Sequence, residues 1–379
     1  MIEKRFYNTI NILIFICYLL SWLLFDFLGE YFFHFHSLKY IIIVFHILFL
    51  LVTNIKKMIS SPLRCTKFFE DYTTVVIMCT ILYLITLCFQ LINKGFKMYS
   101  IMEIIYIILP ATYVFILINY SSKNIHKYLF MFLITASIGF IASYAPLLNL
   151  ENILKIDFIS SYSPFESDLA GVFLILFTYF YYKRNRALSI ISWFFCFLSF
   201  KRLHIIYIII FPVLASIFRK RKITKPNFFV VCFFALFFIL SPFIIQFFVT
   251  DEFNLLFKSI FNITFNQFSM GRYELIRYVL NNNYTNYGLG TISNQIFIGT
   301  AEANLHCDLL RIYLETTFVG LIALIVTFIK ISKRNIYTFM LTIFYLFVMF
   351  SSHMLTNFLS VFLIFLVIAS INNDNKKKL

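Results

Sequence analysis

NLHCDLLRIYLETTFVGLIALIVTFI, residues 304–329, is polar in its first half and apolar in its second. From Phe318 to Ile329 it holds no charge, and the run 304–329 as a whole reads as a helix crossing a bilayer. Before Phe318 it carries His306, Asp308, Arg311 and Glu315. At 100° per residue, Asp308, Arg311 and Glu315 share one helical face, spaced for a ladder of ion pairs. His306 points to nearly the opposite side, in line with Leu310, Tyr313 and Thr317. Each such charge would cost up to ~3 kcal/mol facing lipid at mid-bilayer. The ladder therefore faces protein or a polar cavity. It reads either as a structural grip on a neighbouring helix or as part of a working site.

The rest of the chain places this helix in context. Of 379 residues, 61% are hydrophobic and 21% aromatic, with mean hydropathy +0.86. A soluble core cannot hide that much apolar surface, so the chain is expected to be an all-α polytopic integral membrane protein. Twelve apolar runs read as spans: 9–28, 38–55, 73–92, 99–119, 127–145, 167–182, 187–201, 203–218, 227–250, 304–329, 336–352 and 354–371. No small-residue cleavage site follows the run from Ile10, which is expected to stay as the first span.

Charge sets the orientation. With both termini cytoplasmic, the inside segments hold Lys4, Arg5, Lys56, Lys57, Arg64, Lys67, Lys123, Lys127, Lys183, Arg184 and Arg186. They also hold Arg219 to Lys222, Lys225, Lys330, Lys333, Arg334 and Lys376 to Lys378, together 22 of the 32 basic residues. The net charge of +15 is thus explained by inside loops, and no nucleic acid partner is implied. The expected organisation is one membrane domain, 1–379, with a first long periplasmic loop at 146–166 and a large one at 251–303. The seven cysteines show no metal-ligand spacing and no pairing across an outside loop.

The polar residues gather late and on the outer face. GRYELIRYVL, residues 271–280, reads as a short amphipathic helix on the outer membrane surface, with Arg272, Glu274 and Arg277 opposite Ile276, Val279 and Leu280. NNNYTNYGLG follows, and its Gly288 and Gly290 allow close backbone approach. Lys201-Arg202 interrupts an apolar run at the outer face, where the orientation rule disfavours cations. Snorkelling explains such a pair; so does a phosphate ligand, for which arginine supplies a fork and lysine a point charge. Glu166 and Asp168 stand at the outer end of the sixth span, within reach of a sugar, and Glu103 lies unexplained inside the fourth. His34 and His36, near Asp26 and Glu30, are a weak metal pair without a third ligand. No Gly-rich phosphate loop, Gly-x-Ser-x-Gly element or zinc-protease motif occurs.

This pattern resembles the bacterial O-antigen and capsule repeat-unit polymerases, with the O-antigen ligases as close relatives. Three elements carry the resemblance. Arg272, fifteen residues and Gly288 match an Arg-x15-Gly element of polymerase periplasmic loops. Asn304-Leu-His306-Cys-Asp308-Leu-Leu, followed by Gly320, is similar to the His-Asn/Ser-x-x-Leu … Gly helix opening of both families. Ser199-Phe-Lys201-Arg202 is similar to their Ser-x-Ser-Arg span end. Thr317 departs where a glycine is common, Lys201 replaces a small residue, and Cys307 replaces Asn or Ser.

The resemblance implies a glycosyltransferase in the bacterial inner membrane with its active site facing the periplasm. Donor and acceptor would be glycans on undecaprenyl diphosphate. His306, Arg272 and Arg202 would be catalytic, and Lys201, Arg277, Gly288, Gly290, Asp308 and Arg311 would bind substrate. No metal or cofactor is called for. Membrane lipids, a chain-length regulator and a flippase are the implied partners. An O-antigen ligase is the alternative within this chemistry. A lipid-linked oligosaccharide flippase is the alternative outside it, and the roughly fifty-residue outer loop weighs against it. A surface-sugar acyltransferase would carry an essential His and Arg near the first spans and the cytoplasmic face, an arrangement the sequence does not show.

Overall fold

With so many apolar residues in runs, the backbone must satisfy its own hydrogen bonds, and helices do so within one segment. The computed structural model describes residues 2–27, 38–60, 68–147, 149–155, 163–298, 301–302, 305–355 and 357–376. The first part comprises α1 (Ile2–Phe27), α2 (Leu38–Thr53), α3 (Ile55–Ser60), α4 (Phe69–Ile92), α5 (Met98–Tyr120), α6 (Ile125–Tyr144) and α7 (Leu150–Leu154). Next come α8 (Leu169–Tyr182), α9 (Arg186–Leu198), α10 (Arg202–Lys220), α11 (Phe228–Ile239) and α12 (Ser241–Phe248). The late loop folds as α13 (Asp251–Phe261), α14 (Phe265–Phe268), α15 (Arg272–Asn281), α16 (Thr291–Gln295) and the two-residue strands β1 (Phe297–Ile298) and β2 (Ala301–Glu302), paired antiparallel. The chain closes with α17 (Asp308–Ser332), α18 (Ile336–Met349) and α19 (Phe358–Lys376).

A helix, or the bent pair α11–α12, lies on each of the twelve apolar runs. The molecule is a helical membrane protein. Among the described residues, six helices are long and apolar enough to cross a bilayer, seven with the bent pair counted as one span, and five more are apolar but shorter. The shorter ones include α8 and α9, of 14 and 13 residues. At 1.5 Å per residue, α8 reaches only about 21 Å, against a hydrocarbon core of ~30 Å.

Burial follows the sequence pattern. α8 is apolar all round and buried from Leu169 to Phe180, and α19 is buried from Val361 to Ile371. These two form the centre. α19 packs against α5 and α8, α8 against α9, and α17 against α4. Outward positions such as Leu13, Ile77, Ile209 and Val213 are exposed and apolar, as lipid-facing positions require. α11 and α12 meet at a 50° bend at Leu240. Pro242 stands in the first turn of α12, where its missing N–H costs no helical bond.

Two local expectations change. α17 begins at Asp308, so His306 precedes the helix, and the helical-wheel position given to it does not apply. The apolar side of α15 includes Tyr273, Ile276 and Val279, which are buried. Ile276 and Val279 pack with Ile245, Ile292, Ile296 and Leu310, so α15 rests on protein rather than lipid. It is α13 that carries an exposed apolar face, with Leu255, Leu256 and Ile260. Glu30, His34, His36 and Cys65 lie outside the described residues.

Candidate functional site

The site lies where the late loop closes over one end of the bundle. Asp308 opens α17 and is fully buried. Its Oδ2 accepts the backbone N–H groups of Met354 (2.5 Å) and Leu355 (2.6 Å), in the turn between α18 and α19. Its Oδ1 faces His353 Nδ1 at 3.2 Å and Arg311 Nη2 at 3.3 Å. In the sequence His353 falls in the one-residue gap between the apolar runs 336–352 and 354–371. No sequence spacing announces its carboxylate partner, which lies on another helix.

The expected ladder forms. Arg311 has no exposed side-chain surface, and its Nη1 lies 3.1 Å from Glu103 Oε2 and 3.9 Å from Glu315 Oε2. Glu103, unexplained in the sequence, is thus the partner of a cation 208 positions later. Glu315 in turn accepts the N–H groups of Gly290 and Ile292, each at 2.9 Å. One guanidinium faces three carboxylates here. Backbone N–H groups bond Asp308 Oδ2 and both oxygens of Glu315, while Asp308 Oδ1 meets His353 and Arg311 as charges and not through hydrogen bonds.

The glycine-containing turn is therefore part of this lock. Asn286 donates to the carbonyls of Leu314 and Glu315, Asn93 donates to the carbonyl of Asn286, and Leu289 N–H donates to Thr86 Oγ1. Gly288 has φ +92°, and a Cβ there would come within 2.7 Å of Thr86 Cα, so only glycine fits. Gly290 has φ +77° and sits against Tyr99 and Glu103. Of the residues expected to bind substrate, Gly288, Gly290 and Arg311 are placed where they fasten the loop and α17 to α4 and α5, and Asp308 where it fastens α17 to the turn between α18 and α19.

A second set lies in front of this lock. The turn between α9 and α10 brings Lys201 to Asp168, 2.5 Å apart, at the start of α8. Arg202 donates to the carbonyl of Phe268 (2.6 Å), and its guanidinium lies 4.4 Å from the Phe268 ring centre. Arg272 opens α15. Among the described residues its side chain makes no hydrogen bond or close ion pair, and it lies within electrostatic reach of Arg202, Glu166 and His306. His306 is exposed. Partial desolvation of its ring, then the charges of Arg272 and His353, hold its imidazole below the ordinary value of 6.5, while Asp168 and Asp308 oppose them. The Asp168 carboxyl is held below its usual range by Lys201.

Lys201, Arg202, Arg272 and His306 therefore converge from three separate stretches of sequence, with His353 and Asp168 beside them. Arg277 does not join them. It makes a bidentate pair with Asp251 at 2.6 and 3.0 Å on the exposed side of α15.

The opposite end of the bundle is different. There Lys183 pairs with Asp374, Arg334 with Glu70 and Asp71, and Thr224 accepts the N–H of Ile336. The basic loops are gathered by these contacts. The chemistry available at the site end is that of cations and a neutral imidazole at a water-facing surface, suited to an anionic leaving group and a hydroxyl nucleophile. No family model, curated protein or solved structure matches this chain.

Proposed function

We propose that the chain is an O-antigen or capsule repeat-unit polymerase of the bacterial inner membrane, crossing it twelve times with both termini inside. The observation that carries this reading is the convergence of Arg202, Arg272 and His306 at the end of the bundle remote from the basic loops. The basic end faces the cytoplasm by the charge rule, so the site faces the periplasm.

In this reading a hydroxyl of the acceptor repeat unit attacks the anomeric carbon of the donor glycan. The C–O bond to undecaprenyl diphosphate breaks, and the electron pair leaves with the diphosphate. Arg272 and Arg202 stabilise the charge that grows there. The hydroxyl proton passes to a neutral imidazole. His306 is the exposed candidate, and His353 is held in place behind it by buried Asp308. General-base assistance is typically worth ~10²–10⁴ in rate.

The test uses cells lacking the gene, complemented with wild type, Arg272→Ala or His306→Ala, with surface polysaccharide resolved on a gel. A polymerase gives a ladder with wild type and core plus one repeat unit without it, and each variant fails to restore the ladder while protein remains present. Loss of even the single repeat would favour a ligase or flippase. Full activity of purified His306→Ala would remove that residue from the chemistry.

A further inference from the structure

A cavity of about 510 Å³ opens on the basic end of the bundle, far from the site above, between α8, α9 and α10. Three arginines line it: Arg184, in the turn after α8; Arg186, the first residue of α9; and Arg219, in the last turn of α10. Among the described residues no carboxylate lines it. Its walls are apolar and aromatic, with Tyr181 and Trp193 inside and Ile190, exposed, at the mouth. A neighbouring cavity differs in containing Asp374, paired with Lys183.

Two features set these cations apart from ordinary loop charges. Arg186 stands at the positive end of the α9 dipole, which disfavours a cation and favours an anion. Arg184 adopts φ +59°, a left-handed conformation that a glycine would hold without strain. Among the described residues neither side chain has a carboxylate partner, and Arg219 is engaged only with Tyr337 Oη at 3.5 Å and the Tyr181 ring. The arrangement is cationic at one end and apolar at its exposed mouth.

We propose that this cavity binds the phosphodiester headgroup of an anionic phospholipid, its acyl chains lying over Ile190 and Trp193. Three cations around one phosphate supply charge and bidentate forks, and the exposed apolar mouth admits a chain that a free anion lacks. The orientation proposed above assigns the lipid to the inner leaflet; the recognition chemistry does not depend on it.

The experiment is native mass spectrometry of the full chain purified in detergent, titrated with phosphatidylglycerol or phosphatidylcholine. The expected result is a preference of about tenfold or more for phosphatidylglycerol, lost in the Arg184→Gln/Arg186→Gln double variant. Excess inorganic phosphate should leave the bound phosphatidylglycerol in place. Equal binding of the two lipids, an unchanged preference in the double variant, or displacement by phosphate would each overturn the proposal. A photoreactive phosphatidylglycerol applied to the wild-type chain tests it without a variant. Labelling within 177–193 and 212–219 supports the site, and labelling confined to other segments refutes it.

Discussion

At the scale of single residues, the two arginines that flank the site entrance and its base have opposite duties. Arg311 is enclosed by Glu103, Asp308 and Glu315. Removing it strands buried carboxylates, so Arg311→Met is expected to cost ~3–5 kcal/mol of stability, read as a large drop in melting temperature or loss of folded protein. Among the described residues Arg272 has no close ion pair, and Arg272→Gln should fold normally while losing polymerisation. The imidazole of His306 gives a pH prediction. Its neutral form is the competent base and its proton affinity is depressed, so the rate should stay high below pH 6.5 and fall only at lower pH. Asp168→Asn removes a charge that raises that affinity and frees Lys201, so the acid limb should move to still lower pH. A rate profile against pH for both proteins checks this; a limb moving upward would contradict it. The ladder at Asp308, Arg311 and Glu315 was legible because helical periodicity alone sets it. Glu103 and His353 were not, since their partners come from distant sequence and only packing brings them near.

At the scale of elements, the late loop acts as a fitted cap. The turn at Asn286–Gly290 is pinned to α4 by Thr86 and Asn93 and to α17 by Glu315. Gly288→Ala would drive a Cβ into Thr86, backbone included, and is expected to destabilise by ~1–3 kcal/mol and to open residues 251–298 to protease. Gly271→Ala, with φ +78° but open space around it, should leave the loop protected. If the two variants were cleaved equally, the cap would not be held by this turn. The amphipathic pattern of α15 was readable, yet hydrophobic periodicity does not say whether lipid or protein meets the apolar face. Here Ile245 and Leu310, remote in sequence, supply the protein surface. A second element-level feature is the break in α17 at Thr317, with φ +64° and ψ −176°. A β-branched residue is strained there, and in the proposed reading it is the position where a glycine would be common.

At the scale of the whole molecule, charge segregation is the organising fact. Lys183, Arg184, Arg186, Arg219 and Arg334 lie at one end, and the site residues at the other. A topology reporter active only outside the cytoplasm should be silent when fused after Lys222 and active when inserted at Asn262, in the exposed αL turn that ends α13. The reverse pattern would invert the orientation. The alternation of apolar runs and basic loops made the helices legible from the sequence. It did not reveal that α8 and α19 are the buried centre, because an all-apolar helix reads alike whether it faces lipid or its neighbours. The pairing of Glu103 with Arg311 also has a consequence for biogenesis. The two residues are 208 positions apart. At ~5–20 residues per second, synthesis of the intervening chain takes roughly 10–40 s. Throughout that interval α5 holds an acidic side chain whose counter-ion has not yet left the ribosome. The early helices must therefore wait in a provisional arrangement, and the arrival of α17 is the event that fastens them.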